Sequence, residues 1–272
     1  MKYKLNNCFG KLLSTIIIFT CMAVAQDKAT WNNKKCAVCL TYDDALTAQL
    51  DNVVPLLDSL DLKATFYISG YFPGFKEHMN EWKTVAEKGN ELGNHTLFHP
   101  CDGMPSGRDF VTPDYDLNNY SVQRMTDEIR MNNILLKAID GKTTRTFAYP
   151  CGDTMAGGSS YVNAIKSDFV GARGVEGKMQ KINDVDLFDI CSYVIDGQSG
   201  DSLVSLVKQA IAKNALLVFL FHGVGGGHDI NVSLEAHRKL LYFLKQNENE
   251  IWIAPLVDIA KYIAENREKN KG

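Results

Sequence analysis

Two adjacent carboxylates, Asp43 and Asp44, close an apolar run in "CLTYDDAL" (39–46). Aspartate is common in turns, but two of them where a buried strand surfaces can divide one reaction between them. Further along, "HTLFH" sets His95 and His99 four residues apart. On one turn, that spacing lets two imidazoles share a metal ion. Pro100 follows His99 directly and disfavours a continuing helix, so the pair belongs to a turn at a strand end. A carboxylate from the aspartate pair would complete a two-histidine, one-carboxylate set with an open position, the layout of a catalytic zinc or similar divalent ion. Such an ion lowers the pKa of water held beside it. The remaining aspartate, close by but not a ligand, suits a general base. His222, at the end of "LLVFLF", could protonate a leaving group. Each motif alone also has a plain reading: a turn, two surface histidines, a solvent-facing imidazole.

The elements that position these residues follow from alternating patterns. Apolar strand-like runs lie at 35–41, 63–69, 90–96, 144–150, 169–173, 188–196, 215–223 and 250–254. Helical patterns lie at 46–60, 78–89, 121–139, 160–168, 202–214 and 233–247, and Pro255 opens a last helix. Ser121 is placed as an N-cap. Strands alternating with helices predict a parallel sheet covered by helices, and near-continuous apolar strands predict burial on both faces. The chain therefore reads as a single-domain α/β protein, a closed or nearly closed (β/α) barrel of seven or eight mostly parallel strands. In such barrels the C-terminal strand ends carry the site, and Asp43-Asp44, His95, His99, Tyr149–Gly152, Arg173 and His222 all fall there.

The chain has 272 residues, 45% of them hydrophobic and 22% charged, ordinary for a globular protein with a sizeable core. Residues 1–25 carry Lys2, Lys4 and Lys11, an apolar run, then Ala23-Val24-Ala25, and read as a secretory signal peptide. A lipid anchor through Cys21 is the weaker reading of the same segment. A lead-in at 26–34 and one domain at 35–267 follow. Without the three leader lysines, the net charge of −3 becomes −6, which excludes a nucleic-acid binder by charge. No later segment is long and apolar enough to span a bilayer. An exported protein, periplasmic, cell-surface or secreted, is expected. Cys36 and Cys39 in "CAVC" invite a zinc or redox reading, but positions i and i+3 of a strand face opposite ways, so both read as buried small hydrophobes.

In order and spacing, "TYDD", "HTLFH", "FAYPCG" and "LLVFLFH" resemble the successive motifs of the polysaccharide deacetylase family, also called the NodB-homology or carbohydrate esterase family 4 domain. The resemblance covers about residues 35–265. It implies a distorted (β/α) barrel that removes acetyl groups from sugars in polymers, N-acetylated sugars being favoured and O-acetyl xylan allowed. It implies Asp43 as base, Asp44, His95 and His99 as ligands of one divalent metal (zinc first, with cobalt, nickel or manganese fitting the same set), and His222 as acid. A backbone N–H near Cys151 would stabilise the oxyanion.

The chain departs from the family in its third motif, where many members read R-P-P-Y-G. Ala148 stands where that arginine would be, and Cys151 where the tyrosine would be. Arg173, or less well Arg145, is expected to replace the missing cation, and Asp196 is the best candidate to support His222. The altered motif also allows a relative that only binds glycan. The long loop at 100–119 is expected to wall the substrate groove through Tyr115 or Phe110. Cys101 and Cys151 could pair in an oxidising compartment. "GVGGGHD" (223–229) lacks the Lys-Ser/Thr of a phosphate loop and reads as a flexible rim loop with an exposed His228, contact of that histidine with substrate being the weaker reading.

Overall fold

β1 (Cys36–Asp43) is buried at every position, and the sheet is built outward from it. The computed structural model describes Met1 and residues 30–269; the leader expected at 1–25 lies outside the described residues. After β1 come α1 (Thr47–Asn52), α2 (Val54–Ser59), β2 (Thr65–Ile68), α3 (Pro73–Lys76), α4 (Met79–Glu87) and β3 (Glu91–Asn94). Past the long loop are α5 (Val122–Asp140), β4 (Phe147–Ala148), the small antiparallel pair β5 (Met155–Ala156) and β6 (Ser159–Ser160), α6 (Val162–Ile165), β7 (Ala172–Arg173) and β8 (Tyr193–Val194). The last third holds α7 (Gly200–Lys213), β9 (Leu216–Phe221), the short paired segments β10 (Gly223–Val224) and β11 (Asn231–Val232), α8 (Leu234–Gln246), β12 (Ile251–Ile253) and α9 (Leu256–Lys269).

One 8-stranded sheet runs in the order β7-β4-β3-β2-β1-β9-β8, with β12 against β1. All its pairings are parallel. One edge of β1 is shared: Cys36–Val38 pair with β12, and Thr41–Asp43 pair with β2. The other edge pairs with β9 along most of its length. The two ends of the path then meet. A parallel bridge joins Arg173 of β7 to Ile190, just ahead of β8. There the Ile190 N–H donates to the Ala172 carbonyl at 2.9 Å, and the Gly174 N–H donates to the Ile190 carbonyl at 2.9 Å. The result is a distorted (β/α) barrel drawn shut through a single bridge.

Several expected elements are shorter than the sequence pattern. The helix at 46–60 is two helices that meet at Val53, because Pro55 has no N–H to give and crowds the preceding turn. The strand at 188–196 contributes only β8 and the Ile190 bridge. α5 begins as expected, with the Ser121 Oγ accepting from the Arg124 N–H at 3.0 Å, and it stops at Gly141, whose φ of 72° closes the helix in the left-handed region.

The strands bury both faces. Tyr42 of β1 stacks on Phe66 and Phe221, at centroid distances of 5.1 and 5.3 Å, and its hydroxyl meets His237 Nε2 of α8 at 2.7 Å. Cys36 and Cys39 are free and fully buried, and burial pushes the Cys36 thiol up to about 12. They are inert core residues. At the N-terminal end of the barrel, the Glu91 carboxylate accepts from Thr65 Oγ1 (2.8 Å), Thr146 Oγ1 (2.7 Å), the Thr146 N–H (2.6 Å) and the Val257 N–H (2.9 Å). That ties the start of α9 to the barrel floor.

His237 gives the fold a testable acid limb. Burial draws its imidazole down to about 3, while an unfolded histidine titrates near about 6.5. Between those values the unfolded chain binds the extra proton, so His237 adds stability above about pH 6.5 that is lost as pH falls. The unfolding free energy of His237→Gln, measured by urea titration between about pH 6.5 and 4, is expected to fall less steeply with pH than that of the wild type. Equal slopes would contradict the assignment.

Candidate metal and catalytic site

β1 delivers the aspartate pair. Asp43 is its last residue, and Asp44 and Ala45 then turn through left-handed backbone, with φ of 75° and 53°. Two successive left-handed residues swing Asp44 out of the strand's alternation, so both carboxylates serve one rim. Gln49 of α1 holds the turn, its amide donating to the Asp43 carbonyl at 2.6 Å and to the His222 carbonyl at 3.1 Å.

β3 delivers the histidines. Thr96 and His99 also have left-handed φ, 64° and 57°, and a side-chain frame holds the turn. Asn94 Oδ1 accepts from the Thr96 N–H (2.8 Å), Thr96 Oγ1 accepts from the His99 N–H (2.8 Å), and Glu128 Oε1 of α5 accepts from the Phe98 N–H (2.9 Å). His95 Nδ1 lies 2.9 Å from the Ala148 carbonyl. A carbonyl only accepts, so Nδ1 carries the proton and Nε2 keeps its lone pair, the usual arrangement of a metal-binding histidine.

These turns bring His95 Nε2 and His99 Nε2 to 3.7 and 3.6 Å from Asp44 Oδ1. Such spacings are too long for hydrogen bonds and suit donors converging on one ion. Asp44, His95 and His99 present their ligand atoms within 4.8 Å of one another, and Asp44 Oδ1 is buried without a hydrogen-bond partner. Nitrogen and carboxylate donors of this kind suit zinc and related divalent ions, so the three residues fit the expected group.

Asp43 is held differently. Its Oδ2 accepts from Arg173 Nη2 at 2.5 Å, while its Oδ1 is buried with no partner. Arg173 is wholly buried. It also donates to the Gly174 carbonyl and Ser192 Oγ and packs over the Tyr67 ring at 5.1 Å. Arg173 is the direct register partner of Ala148 across β4 and β7. A buried cation thus stands on the neighbouring strand, level with Ala148. Arg145 is excluded from replacing the missing cation, since it faces the barrel floor and binds Asp140 and the Leu92 carbonyl.

His222 follows β9 and points Nε2 toward Asp44 Oδ2, at 4.0 Å. Its buried Nδ1 has no partner. The expected support from Asp196 is not there. Asp196 is exposed, its Oδ1 accepts from the Asn231 N–H at 3.4 Å, and it makes no hydrogen bond to His222. His228, exposed as expected, also borders the site: its Nε2 lies 3.9 Å from the same Asp44 oxygen and its ring stacks on His222 at 4.7 Å.

Burial sets the charge states. It draws His95 down to about 4 and holds His222 below its usual range, the latter partly offset by Asp43 and Asp44. Burial pushes the Asp44 carboxyl up, and the surrounding histidines, His99 foremost, more than reverse this.

Cys151, with φ of 54°, is disulfide-bonded to Cys101 across 50 residues. Arg108 reinforces that link, donating to the Asp102 and Cys151 carbonyls and to Asp153 Oδ2. The loop at 100–119 is thereby fastened beside His99. With Tyr71, Phe72 and Phe98 it forms a cavity of about 380 Å³ to which Phe110, Tyr115 and His99 also contribute. Tyr71 and Phe110 are exposed, at 52% and 65%.

The chain matches the family model described as polysaccharide deacetylase over residues 31–167. Among curated relatives, the provisionally named polysaccharide deacetylase YxkH of Bacillus subtilis is 26% identical over 133 residues, 48% of this chain and 41% of that one. The chain spans less than half the length of the curated relatives it matches. Three solved structures share the fold. A provisionally named polysaccharide deacetylase from Mycobacterium smegmatis superposes with a TM-score of 0.62 at 11% identity, over 88% of this chain and 94% of that one. BA3943, a CE4 family pseudoenzyme from Bacillus anthracis, gives 0.52 at 18%, over 84% and 66%. A family 4 acetyl xylan esterase from Clostridium thermocellum, in complex with a cobalt ion, gives 0.50 at 18%, over 83% and 91%.

The Cys101–Cys151 bond has a measurable weight. Closing a loop of that length is expected to stabilise the fold by roughly 2–4 kcal/mol. The paired replacement Cys101→Ser with Cys151→Ser should lower the urea midpoint accordingly, and reductant should then change nothing further. An unchanged midpoint would show that Arg108 and Asp153 alone hold the loop.

Proposed function

The chain belongs to the polysaccharide deacetylase family, and from that footing we propose that it is an exported, metal-dependent hydrolase that removes acetyl groups from a carbohydrate polymer or oligomer. The observation that carries this reading is the split between neighbours. Asp44 Oδ1 converges with two histidine Nε2 atoms, while Asp43 keeps one oxygen on Arg173 and one free. A module that only binds glycan has no use for that division, and Arg173 opposite Ala148 removes the main ground for such a reading.

Asp44, His95 and His99 would hold the ion, zinc first, with cobalt, nickel or manganese compatible with the same donors. When bound, the ion supplies Lewis-acid polarisation of the acyl group and water acidic enough to react near neutral pH. Arg173 fixes the rotation of Asp43 through Oδ2, leaving Oδ1 to take the proton of the attacking water. The developing oxyanion is met on the Cys151 side by backbone N–H. His222, once it has taken up a proton as charge develops in the site, gives it from Nε2 to the departing sugar nitrogen or oxygen. The aromatic cavity beside His99 offers flat apolar faces to a sugar ring, and N-acetylated sugars are favoured over O-acetyl xylan. The Cys101–Cys151 bond suits an oxidising compartment, in keeping with the leader read at 1–25, and no helix among the described residues is long and apolar enough to cross a membrane.

Acetate release decides the main point. Chelator-stripped protein is assayed on acetylated chitooligosaccharide, peptidoglycan and acetylxylan, then reloaded with zinc or cobalt, beside Asp43→Asn. Release that returns with metal and is absent in Asp43→Asn is expected. Release that persists in the chelator-stripped protein, or in Asp43→Asn, would overturn the mechanism.

The role of Arg173 has its own test. Arg173→Ala should lower turnover by about ten- to a hundredfold, the scale of one charge-assisted hydrogen bond, with zinc affinity retained. Adding Ala148→Arg should restore part of it, because the two positions are register partners. Unchanged turnover in Arg173→Ala would remove Arg173 from the mechanism.

A further inference from the structure

We infer that His228 is an additional substrate-binding group, a fixed N–H donor aimed at the acyl oxygen of the substrate across Asp44. The inference rests on the hydrolase reading above. Asp44 divides the site by its two oxygens. Oδ1 faces His95 and His99, while Oδ2 faces His222 at 4.0 Å and His228 at 3.9 Å. His228 therefore borders the open side of the metal set, with its ring laid over His222 at an interplanar angle of 20°.

Its proton is assigned by a neighbour. The Ile230 N–H donates to His228 Nδ1 at 2.9 Å, so Nδ1 must offer its lone pair. A neutral imidazole has one ring proton, and it is then on Nε2. This makes His228 unfit to be a fourth ligand, since a ligand needs a lone pair at the nitrogen facing the ion. It makes it a donor instead. The Asp44 oxygen is too distant to accept from it, and no other acceptor for Nε2 is found among the described residues. The side chain is 33% exposed, which leaves the N–H open to substrate.

The segment carrying His228 is built, not loose, contrary to the flexible loop its glycines suggest. The Gly223 N–H donates to the Ile230 carbonyl (3.0 Å), the Gly225 N–H to the Val232 carbonyl (2.8 Å) and the Gly226 N–H to Asn231 Oδ1 (2.9 Å). Gly227 has φ of 87°, and a Cβ there would come within 2.7 Å of the Ala48 Cβ. Glycine is what lets this segment press against α1 and hold His228 over the site.

The test uses zinc-loaded chain and acetate, the expected product, as probe. His228→Phe keeps a flat ring over His222 and removes the N–H; His228→Gln restores an N–H donor. Zinc affinity, read by competition with a chromogenic chelator, is expected to stay within about threefold in both. Acetate affinity, read by calorimetry, is expected to fall about tenfold in His228→Phe, the scale of one hydrogen bond to a charged acceptor, and to recover partly in His228→Gln. The inference is overturned if His228→Phe binds acetate like the wild type, if the wild type binds none, or if zinc affinity falls about a hundredfold as for a lost ligand. Failure of the hydrolase reading shows separately, as wild-type protein that releases no acetate from any polymer while the zinc and acetate titrations still report on His228.

Discussion

The ion pair between Arg173 and Asp43 is the constraint on which the rest of the structure turns. Asp43 ends the central strand β1, and Arg173 ends β7, the edge strand whose bridge to Ile190 draws the barrel shut. One contact therefore ties the middle of the sheet to its seam. Both groups are nearly or wholly out of water, where a charge without a partner costs several kcal/mol. A barrel that opened at the seam would strand the guanidinium, and one that lost the guanidinium would strand the carboxylate. Closure of the fold and the orientation of the proposed base are held by the same bond.

The site is also where the backbone is least relaxed. Asp44, Ala45, Thr96, His99 and Cys151 all have left-handed φ without being glycine. Each such residue costs about 1–3 kcal/mol and persists only where its surroundings over-determine it. The restraints are visible: Gln49 on the aspartate turn, Asn94 and Glu128 on the histidine turn, the Cys101–Cys151 bond on the third. These turns let three different strands aim side chains at one point. Regular strands would have sent Asp44 to the opposite face from the one it serves.

What was legible in the sequence was what local pattern records. The strand-helix alternation gave the barrel, because burial on both faces leaves an apolar run that needs no partner to be recognised. The strand ends gave Asp43, Asp44, His95, His99 and His222 as neighbours. The seam was not legible, since a two-residue strand and one bridge have no periodicity. Nor was the failure of Asp196, which ends an apparent strand as a supporting carboxylate should. The chain there is paired for only two residues, and its carboxylate turns to the Asn231 N–H instead. The order of the loop that carries His228 was misread for the opposite reason. A run of glycines reads as freedom, and here it serves close approach between a loop and a helix.

The electrostatics of Asp44 carry one more step. Four imidazoles surround its carboxylate, and as cations they would hold it ionised. Yet burial draws His95 down to about 4 and holds His222 low as well, so at neutral pH neither supplies that charge. The Nδ1 of His95 is committed as donor to the Ala148 carbonyl, so in the neutral ring Nε2 keeps its lone pair, and that of His228 accepts from the Ile230 N–H, which leaves the His228 ring no second proton. What remains is a buried carboxylate oxygen with no hydrogen bond, facing imidazole lone pairs that also lack a donor. Electron-rich atoms gathered in this way repel one another and are costly to keep dry, unless a cation sits among them. The same arrangement that is unfavourable for the bare protein is what a divalent ion requires, and that complementarity is the strongest physical ground for a metal at Asp44, His95 and His99.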